Sequence, residues 1–466
     1  MISLTVAEIA KAINGRVVGD GTVMITGTVE TDSRICKPGS LFVAKPGEAT
    51  DGHLFIPNAM VNGANAAIVE YETNTELTQI VVEDSVLALG LLAKFVVAEV
   101  RAKGNLQVIA VTGSNGKTTT KNMLRTILSK FGNTVAPEES FNNEVGAPYS
   151  MLKIDQSTQY LVLEYGAGGL GSIAYLVGLC QPDIAIELKV GLAHVGEFGG
   201  IEITEKIKAE LVTDLPVAAL ALLNFDDPRV RKMQEMTQAS VRSFAIESNA
   251  TYRATEVGMS FAGTHFTFSS PNNQPLPVTL KIIGEHQIYN ALAALAVAVE
   301  LGLDLKVASE ALESMELAER WRMQILQGAN GLTVINDAYN ASPDSMRAGL
   351  TALAELGRQT GRRTVAVLGE MAELGQYSAD EHDSIGRLVV RLNIGQLVVV
   401  GAGAKLIHMG ASLEGSWDGE SRFFDEISTA TEYLRGMLSG EEIVLVKSSK
   451  SANLRFLGDD LIEEKP

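Results

Sequence analysis

Cysteine and clustered basic residues are both scarce in this sequence. Its two cysteines, Cys36 and Cys180, are isolated from each other along the chain. This pattern supports neither a disulfide framework nor a cysteine zinc site, and it is typical of a reducing cytosol. No run of lysine and arginine occurs, and the formal net charge is −18. Such a surface repels a nucleic acid duplex or an anionic membrane, so nucleic acid is not an expected partner.

Long apolar runs are also missing. The longest lie near Val86–Val100, which Lys94 interrupts, and near Ala291–Val299, which is short. A membrane-spanning helix needs about 20 apolar residues. The segment Met1–Glu8 lacks the basic region and cleavage site of a signal peptide. We therefore expect a cytoplasmic protein without membrane insertion, and, since no coiled-coil heptad pattern is visible, a monomer.

The length and composition predict several globular domains. The chain has 466 residues, of which 46% are apolar and 20% charged. At roughly 100–200 residues per domain, about three domains are expected. We place their boundaries at residues 1–101, 102–317 and 318–466. The predicted fold class is α/β, with a small α/β N-terminal domain, a central phosphate-loop domain with a parallel sheet, and a C-terminal Rossmann-like domain.

Hydrophobic periodicity supports this division. The first segment is predicted to contain an amphipathic helix at Val6–Ile13, strands at Leu41–Ala44 and Ala66–Val69, and a polar linker at Arg101–Asn105. The second is predicted to contain parallel strands at Gln107–Val111, Tyr160–Leu163 and Pro182–Ile186, helices at Thr119–Phe131 and Asn290–Leu303, and an antiparallel edge within Thr251–Leu280. The third is predicted to contain strands at Thr333–Asn336, Thr364–Leu368, Gln396–Val400 and Ile443–Val446.

The most specific motif is the glycine-rich stretch Thr112–Thr120, which reads TGSNGKTTT between a predicted strand and a predicted helix. The backbone amides of such a loop surround phosphate, and the helix N-terminus adds a positive dipole. We expect Lys117 to reach the β- and γ-phosphates and the Thr118 hydroxyl to bind Mg²⁺. The glycines are closer together than in the common motif, and the alternative is an ordinary turn with a surface lysine. No N-K-x-D motif occurs, which disfavours a GTPase.

Other candidate residues follow predicted strands. Glu164 comes directly after Tyr160–Leu163, and ligands collect at the carboxyl ends of parallel strands, so it is expected to hold Mg²⁺. A glutamate that merely precedes a loop is the alternative. His194 also follows an apolar strand, but a lone histidine is more often a hydrogen-bonding residue than a ligand. Nothing in the residues alone singles out Lys208.

Together these motifs resemble those of the Mur ligase family, ATP-dependent amide-forming enzymes of peptidoglycan synthesis, over essentially the whole chain. The loop resembles the family's T-G-x-N-G-K-T-T, and Phe141–Gly146 and Glu164–Ala167 resemble its next two blocks. The resemblance implies that His194 is a metal ligand and that Lys208 is carbamylated by CO₂. With Lys117, these are the expected catalytic residues.

Further blocks imply the ligands. Asp337–Pro343 and Leu368–Gly375 resemble the branch that adds D-alanyl-D-alanine, and Thr31–Arg34 resembles a uridine-nucleotide-binding domain. The residues implied for ATP are Gly113, Ser114, Asn115, Gly116, Lys117, Thr118, Thr119, Asn290, Asp337, Tyr339 and Asn340. Those implied for two Mg²⁺ ions are Thr118, Glu164 and His194. Those implied for the substrates are Ser33, Arg34, Asn142, Asn143, Glu370 and Lys447.

The implied reaction joins D-alanyl-D-alanine to UDP-N-acetylmuramoyl-tripeptide. The γ-phosphoryl group of ATP activates the tripeptide carboxylate as an acyl phosphate, and the amine of the dipeptide then displaces phosphate. The alternatives are another amino-acid-adding member, folylpolyglutamate synthetase, or a catalytically silent ATP-binding module. The uridine-binding-like first segment disfavours the folate enzyme, and retention of Lys117, Glu164, His194 and Lys208 disfavours the silent module.

Three positions depart from the family pattern. Lys189 stands where the family has asparagine, and Ile207–Glu210 replaces A-K-G-E. Lys450 replaces the arginine of a K-G-S-R-S block, and a lysine cannot form the planar bidentate fork of a guanidinium.

Overall fold

The protein is described by a computed structural model that covers residues 1–47, 50–315, 320–415 and 417–463. Three groups of strands define lobes that we call N-terminal, central and C-terminal. The predicted boundary between residues 317 and 318 lies outside the described residues. The linker predicted at Arg101–Asn105 is partly wrong, because a helix continues to Lys103 and buries Val96, Val97 and Val100 on the way.

The N-terminal lobe is a small mixed sheet with helices packed against it. Its elements are β1 (Leu4–Thr5), α1 (Val6–Ala12), β2 (Arg16–Val18), β3 (Met24–Ile25), β4 (Val29–Glu30), β5 (Ser40–Val43), α2 (Ile56–Val61), β6 (Ala64–Val69), β7 (Thr78–Val81) and α3 (Ser85–Lys103). The strand order is β2-β7-β6-β5-β4, and β1 pairs with β3. The predicted first helix is confirmed; Thr5 and Glu8 form a capping box at its N-terminus.

The central lobe is a mainly parallel sheet with an antiparallel edge. Its elements are β8 (Gln107–Thr112), α4 (Lys117–Leu128), β9 (Thr134–Val135), α5 (Gly146–Met151), β10 (Tyr160–Glu164), α6 (Ser172–Leu179), β11 (Ile184–Glu187), α7 (Val195–Phe198), α8 (Ile201–Thr213), β12 (Leu220–Asn224), α9 (Pro228–Lys232), β13 (Ser240–Ala245), β14 (Tyr252–Ser260), β15 (Gly263–Ser269), β16 (Leu276–Leu280), α10 (His286–Glu300) and α11 (Leu305–Glu313). The order is β16-β15-β14-β13-β12-β11-β8-β10-β9. The predicted antiparallel edge is confirmed, since β14, β15 and β16 pair antiparallel.

The C-terminal lobe is a second sheet of parallel strands with one antiparallel edge strand. Its elements are β17 (Gln324–Gln327), β18 (Thr333–Asn336), α12 (Pro343–Thr360), β19 (Thr364–Leu368), α13 (Ser378–Arg391), β20 (Gln396–Val400), α14 (Lys405–Leu413), β21 (Glu420–Phe424), α15 (Ile427–Met437), β22 (Ile443–Lys447) and α16 (Leu454–Asp460). The order is β17-β18-β22-β19-β20-β21, and β17 is the antiparallel strand. The four strands predicted here are confirmed.

The two faces of the central sheet are covered by different helices. The face against α3, α6 and α8 buries Val108, Ala110, Leu163 and Ala185. The face against α4, α10 and α11 buries Ile109, Val111, Val162 and Ile186. Because side chains alternate along a strand, Thr112 and Glu187 lie on the α8 face, whereas Glu164 lies on the α4 face. Among the described residues, no helix is both long and apolar enough to cross a membrane.

Candidate active site

The glycine-rich loop connects β8 to α4, as the sequence predicts. Gly116 has φ 87° directly before the helix begins at Lys117, a left-handed conformation that favours glycine. The Lys117 ammonium donates a hydrogen bond to the Gly113 carbonyl at 2.8 Å. Desolvation in the cleft lowers the pKa of Lys117, and the nearby Glu164 carboxylate opposes this shift. The loop therefore presents backbone amides and one ammonium group to the same space.

Asn115 connects this loop to the C-terminal lobe. Its side-chain oxygen accepts a hydrogen bond from the Ser342 hydroxyl at 3.1 Å. Its side-chain nitrogen is buried and has no hydrogen-bond partner among the described residues. A buried amide donor that lacks an acceptor is costly, and the oxygen of a bound phosphate would satisfy it.

A cleft of about 290 Å³ lies between the central and C-terminal lobes. Of the residues implied for ATP, metal and substrate binding, it is lined by Ser114, Asn115, Gly116, Lys117, Thr118, Thr119, Asn142, Glu164, His194, Asn290, Asp337, Tyr339, Asn340 and Lys447. A second cleft of about 360 Å³ shares Asn115, Gly116, His286 and Asn290 with the first and continues to Asn224 and Asp226. The two clefts provide adjoining spaces for phosphates and for a nucleoside.

Asn290 lies on α10 and contacts α4, the helix that follows the glycine-rich loop. Its side-chain oxygen accepts a hydrogen bond from the Thr120 hydroxyl at 3.2 Å, and its nitrogen donates to Gln287 at 2.9 Å. The adjacent His286 has a buried Nδ1 without a partner among the described residues. Desolvation lowers the pKa of His286 to about 4, so the imidazole is neutral at physiological pH. A neutral ring with a free nitrogen suits a nucleoside better than a phosphate.

Glu164 is placed as predicted, at the end of β10 and facing the loop. One carboxylate oxygen accepts a hydrogen bond from the Asn142 amide at 2.8 Å. The other carboxylate oxygen has no partner among the described residues, and water does not reach it freely because Glu164 is only 1% exposed. The Thr118 hydroxyl, 3.2 Å from that of Ser140, lines the same cleft. An unpartnered carboxylate oxygen and a hydroxyl group are hard oxygen ligands, so these residues fit Mg²⁺.

His194 lies at the rim of the cleft, where the central and C-terminal lobes meet. Its backbone is left-handed, with φ 60°, at the start of α7. Its Nδ1 is 2.5 Å from a carboxylate oxygen of Glu373 and 3.7 Å from one of Glu197. The ligand atoms of these three residues lie within 4.8 Å of one another. His194 as a metal ligand stays a prediction, and in this arrangement the ring already has a carboxylate partner.

Lys208 lies beneath the loop and does not line the cleft. Its side chain projects from α8, is 3% exposed, and donates to the Thr112 hydroxyl at 3.3 Å. Burial, reinforced by the positive charge of Lys117, lowers the pKa of Lys208 to about 7. Lys208 therefore loses its proton more readily than an ordinary lysine, and the neutral amine is the form that reacts with CO₂.

In the C-terminal lobe, Lys447 organises the predicted nucleotide residues. Its ammonium, 2% exposed, lies 2.5 Å from a carboxylate oxygen of Asp337 and donates to the Asn340 carbonyl at 3.1 Å. The ring of Tyr339 is covered by the Arg322 guanidinium at 4.2 Å. Lys450, one of the departures from the family pattern, lies 5.6 Å from the same ring.

The remaining predicted substrate residues do not line the clefts described above. Arg34 is paired with Asp32 at 2.6 Å beside the buried Ser33 in the N-terminal lobe. Asn143 accepts a hydrogen bond from the Gly146 amide at 2.9 Å, and the Glu370 side chain is exposed. Another departure, Lys189, forms an ion pair with Asp344 of the C-terminal lobe at 2.9 Å.

Three residues near the clefts or Lys208 carry no individual prediction from the sequence: Glu187, Glu373 and His286. Glu187 follows the predicted strand Pro182–Ile186, and a charged residue at the end of an apolar strand is the same signal that identified Glu164. Glu373 falls within the block Leu368–Gly375, and His286 lies four residues before Asn290, which the resemblance assigns to ATP. Their proximity to the clefts depends on contacts between lobes, which a single sequence does not reveal.

Comparison with known proteins identifies the family. The UDP-N-acetylmuramoyl-tripeptide--D-alanyl-D-alanine ligase of Mycobacterium tuberculosis (strain ATCC 25618 / H37Rv) is 39% identical over 504 residues, covering 100% of this chain and 98% of its own. The enzyme of the same name from Escherichia coli (strain K12) is 33% identical, covering 97% of each chain. The chain belongs to the Mur ligase family.

Family models and solved structures extend this result. Models of the Mur ligase family catalytic domain, the Mur ligase middle domain and the Mur ligase glutamate ligase domain match residues 27–115, 111–298 and 321–450. A crystal structure of MurF from Acinetobacter baumannii has a TM-score of 0.90 at 31% identity and covers 100% of both chains. MurF from Thermotoga maritima, solved in complex with ADP, has a TM-score of 0.80 at 28% identity, covering 94% of this chain and 98% of its own.

As a Mur ligase, the chain is an ATP-dependent ligase with three α/β domains. The predicted family, fold class and enzyme class are thereby confirmed. The roles assigned to individual residues, the monomeric state and the cytoplasmic location stay predictions.

Proposed function

We propose that this Mur ligase joins D-alanyl-D-alanine to UDP-N-acetylmuramoyl-tripeptide in peptidoglycan precursor synthesis, with conversion of ATP to ADP and phosphate. The observation that carries the proposal is the cleft between the central and C-terminal lobes, which the phosphate loop shares with Asp337, Tyr339 and Lys447. The full-length likeness to ligases named for this reaction supports the choice of substrates.

The central lobe supplies the ATP site in this proposal. The Ser114 amide donates to the Lys189 carbonyl at 2.7 Å, so the other loop amides and the Asn115 side chain surround the phosphates. Lys117 leaves the Gly113 carbonyl to bind the β- and γ-phosphates. The base lies in the adjoining cleft beside Asn290 and His286. The C-terminal lobe contacts the nucleotide through Asp337, Tyr339 and Asn340.

The metal assignment is part of the same proposal. Thr118 and Glu164, whose second carboxylate oxygen is unpartnered among the described residues, would hold one Mg²⁺, and His194 would contribute to a second. When bound, these ions neutralise charge on the transferring phosphates and on the acceptor carboxylate. Lys208 carries a carbamate, which places an acidic group under the loop.

The chemistry begins with a carboxylate that is a poor electrophile. Transfer of the γ-phosphoryl group forms an acyl phosphate, in which phosphate is a good leaving group. The neutral amine of the dipeptide attacks the acyl carbon, and the carbon–oxygen bond to phosphate breaks. The nitrogen loses one proton, which ends on the departing phosphate, and the amide forms. Lys117 stabilises the negative charge on the phosphate oxygens during the transfer.

Substrate capture requires all three lobes. Ser33 and Arg34 bind the uridine nucleotide, Asn142 and Asn143 hold the peptide near the loop, and Glu370 with Lys447 positions the dipeptide. We also retain domain boundaries at residues 101 and 317, which separate the three binding functions. Approach of the lobes around these ligands excludes water from the acyl phosphate, which would otherwise hydrolyse.

The test is phosphate release from ATP with UDP-N-acetylmuramoyl-tripeptide and D-alanyl-D-alanine added singly and together. Release that requires both, with a UDP-muramoyl-pentapeptide detected by mass spectrometry, is the expected result. Acceptors that differ in their third residue then define that position. Release with a different amino acid and a shorter precursor would assign another Mur ligase reaction, and absence of release with every pair would favour a silent ATP-binding module.

A further inference from the structure

Glu187 is a buried carboxylate that the proposed reaction does not use. It ends β11 and is 0% exposed. Neither of its carboxylate oxygens accepts a hydrogen bond from any described residue. Burying an unpaired carboxylate costs several kcal/mol, so this group is ionised only as far as positive charge nearby compensates it.

The sheet register places Glu187 beside Thr112, the hydrogen-bond partner of Lys208. Glu187 pairs with Thr112 in the parallel ladder between β11 and β8, so the two side chains lie on the same face, beneath α8. The Thr112 hydroxyl accepts the hydrogen bond from the Lys208 ammonium and donates its own to the Tyr165 carbonyl at 2.6 Å. The Glu187 carboxylate and the Lys208 amine are therefore both neighbours of one threonine in a closed, desolvated space.

Charged groups from several elements face this pair. Lys117 from α4 contributes positive charge, whereas Glu164 from β10, Glu210 from α8 and Asp227 from the loop after β12 contribute negative charge. Burial raises the pKa of Glu187, and the positive charge of Lys208 is the largest influence that opposes this rise. Glu187 is in turn the strongest of the carboxylates that oppose the lowering of the Lys208 pKa.

We propose that Glu187 is the counter-charge that holds Lys208 as an ammonium and thereby sets the pH at which Lys208 takes up CO₂. This inference rests on the proposed carbamylation of Lys208. Glu187 acts as a positioning residue, because it influences the reaction only through the lysine. It makes the modification of Lys208 sensitive to pH and to the supply of CO₂.

The step consists of two proton losses and one bond formation. The Lys208 ammonium releases a proton to solvent, and the nitrogen lone pair forms a bond to the carbon of CO₂ while a π pair moves to oxygen. A second proton then leaves the nitrogen to solvent and a carbamate anion remains. An ionised Glu187 opposes both stages, since it stabilises the ammonium and repels the carbamate.

The experiment follows the carbamate directly, without measuring ligation. Full-length protein is equilibrated with ¹³C-labelled bicarbonate at a fixed concentration of dissolved CO₂, and the carbamate signal is recorded by ¹³C NMR as a function of pH. Lys208→Ala identifies the signal by its loss. Glu187→Gln keeps the size of the side chain and removes the charge, and Glu187→Asp keeps the charge. Glu442→Gln, at a buried glutamate of the C-terminal lobe, is the matched control.

The midpoint pH for carbamylation is expected to fall by about one unit or more in Glu187→Gln. At a fixed pH this corresponds to at least about a tenfold increase in the ratio of carbamate to unmodified Lys208. Glu187→Asp and Glu442→Gln are expected to keep the wild-type midpoint. An unchanged or higher midpoint in folded Glu187→Gln overturns the inference, and so does absence of carbamate from both proteins at every pH. Ligation by the wild type in the same buffers would still support the proposed function.

Discussion

Polar side chains differ between the N-terminal and central lobes in whether they have partners within the protein. In the N-terminal lobe, Arg34 is paired with Asp32, and His53 is bonded both to Asp51 at 2.6 Å and to the Glu70 amide at 2.9 Å. In the central lobe, Asn115, Glu164 and His286 each leave a buried polar atom without a partner among the described residues.

This difference separates two ways of preparing a site. Unpaired buried groups are costly, and a ligand that supplies their missing interactions gains free energy, as the proposed binding of ATP and metal at the central lobe would. Internally paired groups must exchange one partner for another, and the net gain on binding is correspondingly smaller. Substitutions in the central lobe should therefore affect catalysis most, and those in the N-terminal lobe should affect affinity.

The largest effect is expected for Lys117→Ala. The ammonium group is the loop's charged contact to the transferring phosphoryl group, and its loss should lower kcat by about 10³-fold or more. ADP release under saturating substrates measures this change. Lys130→Ala, at an exposed lysine just beyond the end of α4, is the control and should retain full activity. Activity of Lys117→Ala within tenfold of the wild type would contradict the assignment of the loop.

The next largest effect is expected for Glu164→Gln. The variant loses the unpartnered carboxylate oxygen, so kcat should fall by about 10²-fold and the Mg²⁺ concentration for half-maximal activity should rise. Its melting temperature should not fall, because an uncompensated buried charge has been removed.

Glu442→Gln sharpens this test with the opposite pattern. The Glu442 oxygens accept hydrogen bonds from Ser439 and from the Gly440 amide at 3.0 Å. This variant should lose about 1–2 kcal/mol of unfolding free energy and keep its activity. A melting temperature that falls equally in both variants would show that Glu164 has a structural role.

A smaller effect is expected for Arg34→Ala in the N-terminal lobe. Loss of a charge-assisted contact to the uridine nucleotide should raise KM for the UDP-linked precursor about tenfold and leave kcat unchanged. Initial-rate kinetics separate the two constants. Arg16→Ala, which removes an exposed arginine paired with Glu72, should change neither. A fall in kcat without a change in KM would place Arg34 outside the binding surface.

The smallest effect is expected from the desolvated ring of His286, whose Nε2 is bonded to Gln287 at 2.9 Å and whose Nδ1 has no partner among the described residues. Its pKa is lowered to about 4 in the folded state, below the ordinary value of 6.5, so between these values the unfolded chain binds more protons. Stability should therefore fall as the pH falls from about 6.5 toward 4. Thermal melts across this range should show a shallower decline for His286→Gln than for the wild type. An identical decline would mean that the ring is not desolvated.

The sequence predicted the elements whose signals are local. The predicted strands of the C-terminal lobe are continuous apolar runs, and Gly113–Gly116 lies between a strand and a helix, so both could be placed correctly. Glu164 could be placed because it follows an apolar strand. The contact between His194 and Glu373 could not, since the two residues come from different lobes and their separation in the chain carries no signal.

Other features depended on packing and register. The linker predicted at Arg101–Asn105 is partly helical because Val100 is buried against neighbours that the local composition does not reveal. The relation of Glu187 to Lys208 required the pairing of β11 with β8, and one sequence does not specify which strands are neighbours.

The hydrogen bond between Ser342 and Asn115 has a thermodynamic consequence. Asn115, which is proposed to contact ATP, also touches the lobe proposed to hold the dipeptide. A ligand that changes the position of either lobe therefore changes the free energy of the other ligand's binding. By linkage this coupling is reciprocal: the factor by which nucleotide alters affinity for the dipeptide equals the factor by which the dipeptide alters affinity for nucleotide.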